Sequence, residues 1–176
     1  MDFFVTLTQL KQTQRTGWTR FPIQHVESVA EHTYLAQFVA AELARRAGES
    51  PEQAVMMMMA HDMVEALTGD LVAGVDVPAP EKKVRERQAA QQLAELAGHA
   101  MYQDLFAAFE ANETPLARLC HDADKIEMAL QALLYEQYHA AEHLDLREFW
   151  QGVAHKLQTP HGETFYRELC AYFGKP

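Results

Sequence analysis

The stretch "MMMMAHDMVEALTGDL", residues 56–71, decides how this chain folds. Four methionines and an alanine lead into His61 and Asp62, and Glu65 follows three residues later. Ser50, Pro51 and Gln53 supply a capping box with proline at its favoured first-turn position, and Thr68-Gly69 supplies a stop. The spacing predicts a helix over about residues 51–67 in which positions 54–60 are apolar on every side. Such a helix is buried, and charged groups are almost never buried without a partner. The question is what satisfies a histidine and two carboxylates there.

The rest of the chain continues the helical pattern, with no sustained alternation of the kind that marks strands. Asp2 is placed to cap a first helix whose Phe3, Leu7 and Leu10 share a face. "RTGWTRFPIQHVE" reads as a loop, and Ser28 with Glu31 forms a capping box ahead of a helix closed by Gly48. Residues 70–80 read as an extended loop because they hold a glycine and two prolines. Helices are expected near 81–97 and 102–110, then a long one opened by Thr114-Pro115 and ending near 138. Asp145 with Glu148 caps a further helix, and "GETFYRELCAYF" forms the last. No repeat or linker divides the 176 residues, so the expected architecture is one all-α bundle of about six to eight helices.

Composition narrows the partners. The formal net charge of −10, from 25 acids against 15 bases, repels phosphate backbones and argues against duplex nucleic acid. No apolar run reaches membrane-spanning length, and the first residues lack the cationic start of a signal peptide. Cys120 and Cys170 form no Cys-x-x-Cys pair and read as small buried hydrophobes in a reducing compartment, which points to the cytoplasm.

His61, Asp62 and Glu65 crowd one helix end, since they lie three and four residues apart. Alone, His61-Asp62 is a hydrogen-bonded pair at a helix terminus. His32 alters that reading, because it lies on the apolar stripe 32, 35, 36, 39 and 43 of the preceding helix. Two packed helices then aim His32 and His61 at one point. A divalent cation removes the penalty of burying the carboxylates, and imidazole and carboxylate are its natural ligands. A fourth group is offered by "CHDADKIEMALQALLYEQ", where His121, Asp122, Asp124 and Glu127 all qualify and periodicity does not choose among them.

"RTGW", "ESVAEHTYLA", "AHDMVEALTGDL" and "DADKIEMALQALLYE", in this order over roughly residues 3–138, resemble the HD-domain metal-dependent phosphohydrolases and, within them, the 5′-deoxynucleotidase family. The resemblance implies an HD-type helical fold, release of phosphate from deoxynucleoside 5′-monophosphates, and a homodimer. It places His32, His61, Asp62 and Asp124 on the metal-ligand positions and makes His121-Asp122 a decoy on the helix surface. Glu65 falls on the catalytic acid and Asp70 on the substrate-contacting acid of the TGD turn. Arg15 and Trp18 match the element lining the phosphate and base side, and Glu110 an acidic substrate-site residue.

A set of two imidazoles and two carboxylates without sulfur suits one Mn²⁺, Fe²⁺, Co²⁺, Ni²⁺ or Zn²⁺ ion. The metal is expected to neutralise phosphoryl charge and acidify the attacking water, with Glu65 as proton acceptor. Arg15 is expected on the phosphate, Asp70 on the water or the sugar, and Trp18 against the nucleoside. Two other readings compete. Alarmone pyrophosphohydrolases of the same superfamily continue as His-Asp-x-x-Glu-Asp, whereas Ala66 follows Glu65 here. A metal-stabilised binding module has no need of Glu65 and Asp70.

Overall fold

The computed structural model describes residues 1–139 and 143–176. Its helices are α1 (Asp2–Leu7), α2 (Val29–Ala47), α3 (Pro51–His61), α4 (Glu65–Thr68), α5 (Ala79–Ala97), α6 (Met101–Ala111), α7 (Pro115–Tyr138), α8 (Arg147–Gln151) and α9 (Pro160–Tyr172), with 3₁₀ turns at Thr8–Lys11 and Trp18–Arg20. Among the described residues β-type pairing is limited to two isolated bridges, Gln14 with Ser28 and Ala73 with Val77. The all-α expectation is met. No helix among the described residues is long and apolar enough to cross a membrane.

The chain divides into two compact units, Met1–Tyr34 with Met59–Glu110, and Leu35–Met58 with Ala111–Pro176. In the first, Phe3 from α1, Ala60 from α3, Met63 and Val64 from the segment joining α3 to α4, Ala89, Ala90 and Leu93 from α5 and Phe106 from α6 form one core. Fully burying a side chain such as Leu93 contributes about 2 kcal/mol. The core therefore anchors residues on both sides of Asp62 and the residue just before Glu65.

The expected single helix over 51–67 is interrupted. α3 ends at His61, and the backbone tightens: Met63 N donates to Ala60 O (3.3 Å), Glu65 N to Asp62 O (3.0 Å), Ala66 N to Met63 O (3.2 Å) and Leu67 N to Val64 O (3.0 Å). These three-residue bonds are 3₁₀ geometry, in which side chains at i and i+3 eclipse. Asp62 and Glu65 are such a pair, so the tightening brings two carboxylates onto one edge. Gly69 ends α4 at φ 71, a left-handed value that a side-chain-bearing residue adopts only with strain. Nor is the stretch apolar-buried throughout: Met58 is wholly buried, but Met59 is 36% exposed.

In the second unit α8 and α9 pack on α7. Asp122, expected on the surface, is wholly buried. Its carboxylate accepts from Gln158 N (2.8 Å), Thr159 N (2.9 Å) and Thr159 Oγ1 (2.6 Å), while Thr159 caps α9 by accepting from Gly162 N (3.0 Å). A Cβ at Gly162 would stand 2.3 Å from Asp122 Oδ2, so glycine is required for this approach. Asp122 thus fastens the start of α9 to α7. Glu136 acts similarly, accepting from Leu146 N (2.8 Å), Trp150 Nε1 (3.0 Å) and Lys175 Nζ (2.8 Å). Cys120 and Cys170 are free and buried as expected, and burial pushes the Cys120 thiol up to about 12.

Smaller differences sit at helix starts. Asp2 is the first helical residue, not the cap, and makes no capping bond. α5 begins at Ala79, two residues before the expected start. Leu146 occupies the cap position of α8, and Asp145 accepts from Arg147 N at 3.1 Å instead.

Candidate metal and catalytic site

The first unit builds the site from the start of α2 and the break after α3. The Ser28–Glu31 capping box forms as expected: Ser28 N donates to Glu31 Oε2 at 2.7 Å and Glu31 N to Ser28 Oγ at 3.2 Å. This fixes the first turn of α2, one residue before His32. The chain just upstream is tied to it, because Val29 N donates to Thr13 O (2.8 Å) and Arg15 N to Glu27 O (3.0 Å). Trp18 is 2% exposed, and its indole donates to Glu27 Oε1 at 2.7 Å. At this burial little of the ring is open for the expected packing on a nucleoside, and its bond to Glu27 ties it to the residue whose carbonyl accepts from Arg15 N.

At the centre, His32 Nε2 and His61 Nε2 lie 3.3 Å apart, and Asp62 Oδ2 is 3.5 Å from the first and 3.2 Å from the second. His32 and His61 are buried, and Phe109 meets the His61 ring edge-on at 5.3 Å. Two facing imidazole nitrogens are satisfied by one shared proton or by a cation that both ligate. With a carboxylate oxygen completing the triangle, and all three donor atoms within 4.8 Å of one another, the residues fit a divalent metal ion.

Arg15 Nη1 donates to the same Asp62 Oδ2 at 3.1 Å. Burial works to raise the Asp62 pKa, but hydrogen bonding and charge from His61, with Arg15 and His32, outweigh it and hold the carboxyl below the ordinary range.

Glu65 opens α4 and is 4% exposed, and among the described residues its Oε2 has no hydrogen-bond partner. Burial, then repulsion from Asp62 and Asp70, raises its pKa well above the ordinary value, against the pull of Arg15 and Lys82. A buried, unpartnered carboxylate oxygen costs stability and needs an occupant such as water.

Asp70 has a definite task. Its Oδ2 accepts from Thr16 N (2.6 Å) and its carbonyl from Thr16 Oγ1 (2.6 Å), so the TGD turn clasps the loop next to Arg15. Glu110 is exposed near the end of α6, and its charge acts on Glu86. Asp124 is half-buried on α7 in the second unit, beside the buried Glu127.

Glu27, Lys82 and Glu86 are site neighbours that motif reading passed over. Glu86 is 8% exposed and accepts from Lys82 Nζ at 2.5 Å. The one sequence signal was their i,i+4 spacing on the stripe that continues through Ala89, Ala90 and Leu93.

The HD domain family model matches residues 7–164 of this chain. The 5′-deoxynucleotidase HDDC2 of Homo sapiens is 31% identical over 176 residues, covering 97% of this chain and 84% of its own length. The chain belongs to the HD-domain 5′-deoxynucleotidase family. A second family relative, the 5′-deoxynucleotidase hdd1 of Schizosaccharomyces pombe, is 33% identical over 167 residues, 89% of this chain and 83% of its own. The PH0347 protein of Pyrococcus horikoshii shares the HD-domain fold, with a TM-score of 0.79 at 23% identity and 98% coverage of each chain. HD domains depend on a metal, and His32, His61 and Asp62 form one group in this chain that could hold such an ion.

Proposed function

We propose that this HD-domain protein hydrolyses deoxynucleoside 5′-monophosphates to nucleoside and phosphate. The observation that carries the reading is the meeting of His32, His61 and Asp62 donor atoms within 4.8 Å, with the unpartnered Oε2 of buried Glu65 three residues on. The names of its family relatives supply the substrate class.

A divalent cation supplies Lewis-acid stabilisation of phosphoryl charge and lowers the pKa of water when bound. Its identity, one Mn²⁺, Fe²⁺, Co²⁺, Ni²⁺ or Zn²⁺ per chain, is proposed from the nitrogen and oxygen donors. His32, His61 and Asp62 hold it, and the DADK position assigns Asp124 as the fourth ligand. Glu65 accepts the proton of the attacking water at Oε2, which no other described group occupies. Arg15 presents a fork suited to two phosphate oxygens. Asp70 contacts the water or the sugar and Trp18 lines the nucleoside side, while their bonds to Thr16 and Glu27 steady the loop that carries Arg15. Glu110, exposed on α6, is proposed to reach the substrate only at the rim. The family resemblance also carries a homodimer into the proposal, and the two free, buried cysteines carry a reducing, cytoplasmic location.

A purely binding module is disfavoured by Glu65, which costs burial energy and serves no metal-holding role in the triangle. The test is a screen of metal-loaded protein against nucleoside 5′-mono-, 3′-mono- and 5′-triphosphates, reading inorganic phosphate and pyrophosphate. Phosphate from 5′-monophosphates, with little from the other two, is expected. Pyrophosphate as the product would move the chain to the alarmone chemistry, and metal binding without turnover to the binding module.

A further inference from the structure

The buried stripe of α5 does not end where its apolar residues end. Leu93, Ala90 and Ala89 pack in the first unit's core with Met63 and Val64, the two residues between Asp62 and Glu65. At helical spacing the same stripe continues to Glu86 and then Lys82, one and two turns nearer the start of α5. α4, whose first residue is Glu65, packs on α5. The polar end of the stripe therefore lies on the helix that carries α4 and Glu65, with Glu86 buried and Lys82 part-buried.

An i,i+4 Lys–Glu pair on a helix's outer face contributes little, so nothing favours burying one. This pair is sheltered: the side chains of Lys82 and Glu86 are 24% and 10% exposed. Glu86 takes one of three ammonium donors, at 2.5 Å. The charge of Lys82 acts on both Glu65 and Asp62. A phosphomonoester dianion entering this site meets the negative charges of Asp62, Glu65 and Asp70, and Arg15 is engaged with Asp62 Oδ2. Beside the divalent cation and Arg15, a further ammonium group offsets these carboxylates and offers N–H donors to phosphoryl oxygens.

We propose that Lys82, positioned by Glu86, is a phosphate-binding residue that donates to the phosphoryl oxygens of the substrate. The proposal rests on the reading of the chain as a phosphomonoesterase and names the residue that recognises its phosphate. Glu86 is a positioning residue: it holds the stem of Lys82 against α5 and leaves two N–H donors to turn toward the ligand.

The experiment is calorimetric titration of inorganic phosphate, and separately of 2′-deoxyadenosine, into the metal-loaded full chain. Wild type, Lys82→Gln, Lys82→Arg and Glu86→Gln are compared, with metal content and thermal midpoint measured for each. Lys82→Gln is expected to weaken phosphate binding by about ten-fold or more, the scale of one charge-assisted hydrogen bond. Binding of 2′-deoxyadenosine and metal content should stay as in wild type. Lys82→Arg should recover most of the phosphate affinity, and Glu86→Gln should lose a smaller share of it. An unchanged phosphate affinity in Lys82→Gln would overturn the proposal. So would an equal loss for phosphate and 2′-deoxyadenosine, which marks a structural role, or a wild type that binds no phosphate. Phosphate binding that depends on Lys82 in a wild type that cleaves no monophosphate would support Lys82 and overturn the enzymatic reading instead.

Discussion

Glu65→Gln is expected to keep its metal and lose turnover by about a hundred-fold or more, the usual scale for a missing general base. The 3₁₀ tightening after His61 eclipses Glu65 with Asp62, so Glu65 sits beside the metal-holding triangle without belonging to it. Its Oε2 is buried and has no partner among the described residues, which leaves it for the proton of the attacking water. An amide fills the same volume and still orients that water, but it cannot take the proton. KM should therefore change little while kcat falls, the signature of an interaction needed in the transition state and not in binding. Retention of both metal and near-full turnover would refute this role. Loss of the metal would show that Glu65 is a ligand.

Replacing Asp124 by Ala is expected to lower metal content from about one ion per chain to a small fraction, because a carboxylate ligand is removed. Replacing Asp122 by Ala should do something different. Its carboxylate accepts three hydrogen bonds from Gln158 and Thr159, two of them from backbone N–H groups that would lose their acceptor. The expected loss is on the order of 3 kcal/mol of stability, read by urea unfolding, with metal retained at temperatures where the chain stays folded. If Asp122→Ala lost metal while Asp124→Ala kept it, the assignment on α7 would be reversed.

The two aspartates show where sequence reading reaches its limit. Helical periodicity says which face a residue occupies, but both Asp122 and Asp124 flank the apolar face of α7. What separates them is a partner at Gln158-Thr159, distant in sequence, and no local pattern announces such a pairing. Trp18 is a similar case. Its motif was legible, but its 2% exposure follows from Glu27 accepting its indole N–H across a loop that looked irregular.

His32, His61 and Asp62, by contrast, were readable because the chemistry is local. Each lies on or beside a strongly apolar helix, where an unpartnered polar group is an anomaly that demands a ligand. Glu65 was legible for the same reason, although the helix break that aims it was not. Nothing in "HDMVEALTG" forbids a continuous helix, and the tightening coincides with the burial of Met63 and Val64 in the core. Lys82 and Glu86 were hidden in a helix that reads as polar overall, since their sheltering depends on what packs against α5.

Cleavage of 5′-monophosphates by this chain is proposed to need a metal held at His32, His61 and Asp62. It is tested most directly by measuring phosphate release from a deoxynucleoside 5′-monophosphate with chelator-stripped protein, before and after adding back Mn²⁺, Co²⁺ or Zn²⁺. The account predicts no release from stripped wild type and restored release once about one ion per chain is bound. His61→Ala should stay inactive and take up no ion at the same metal concentration. Equal release by stripped and reloaded wild type, or full recovery in His61→Ala, would contradict it.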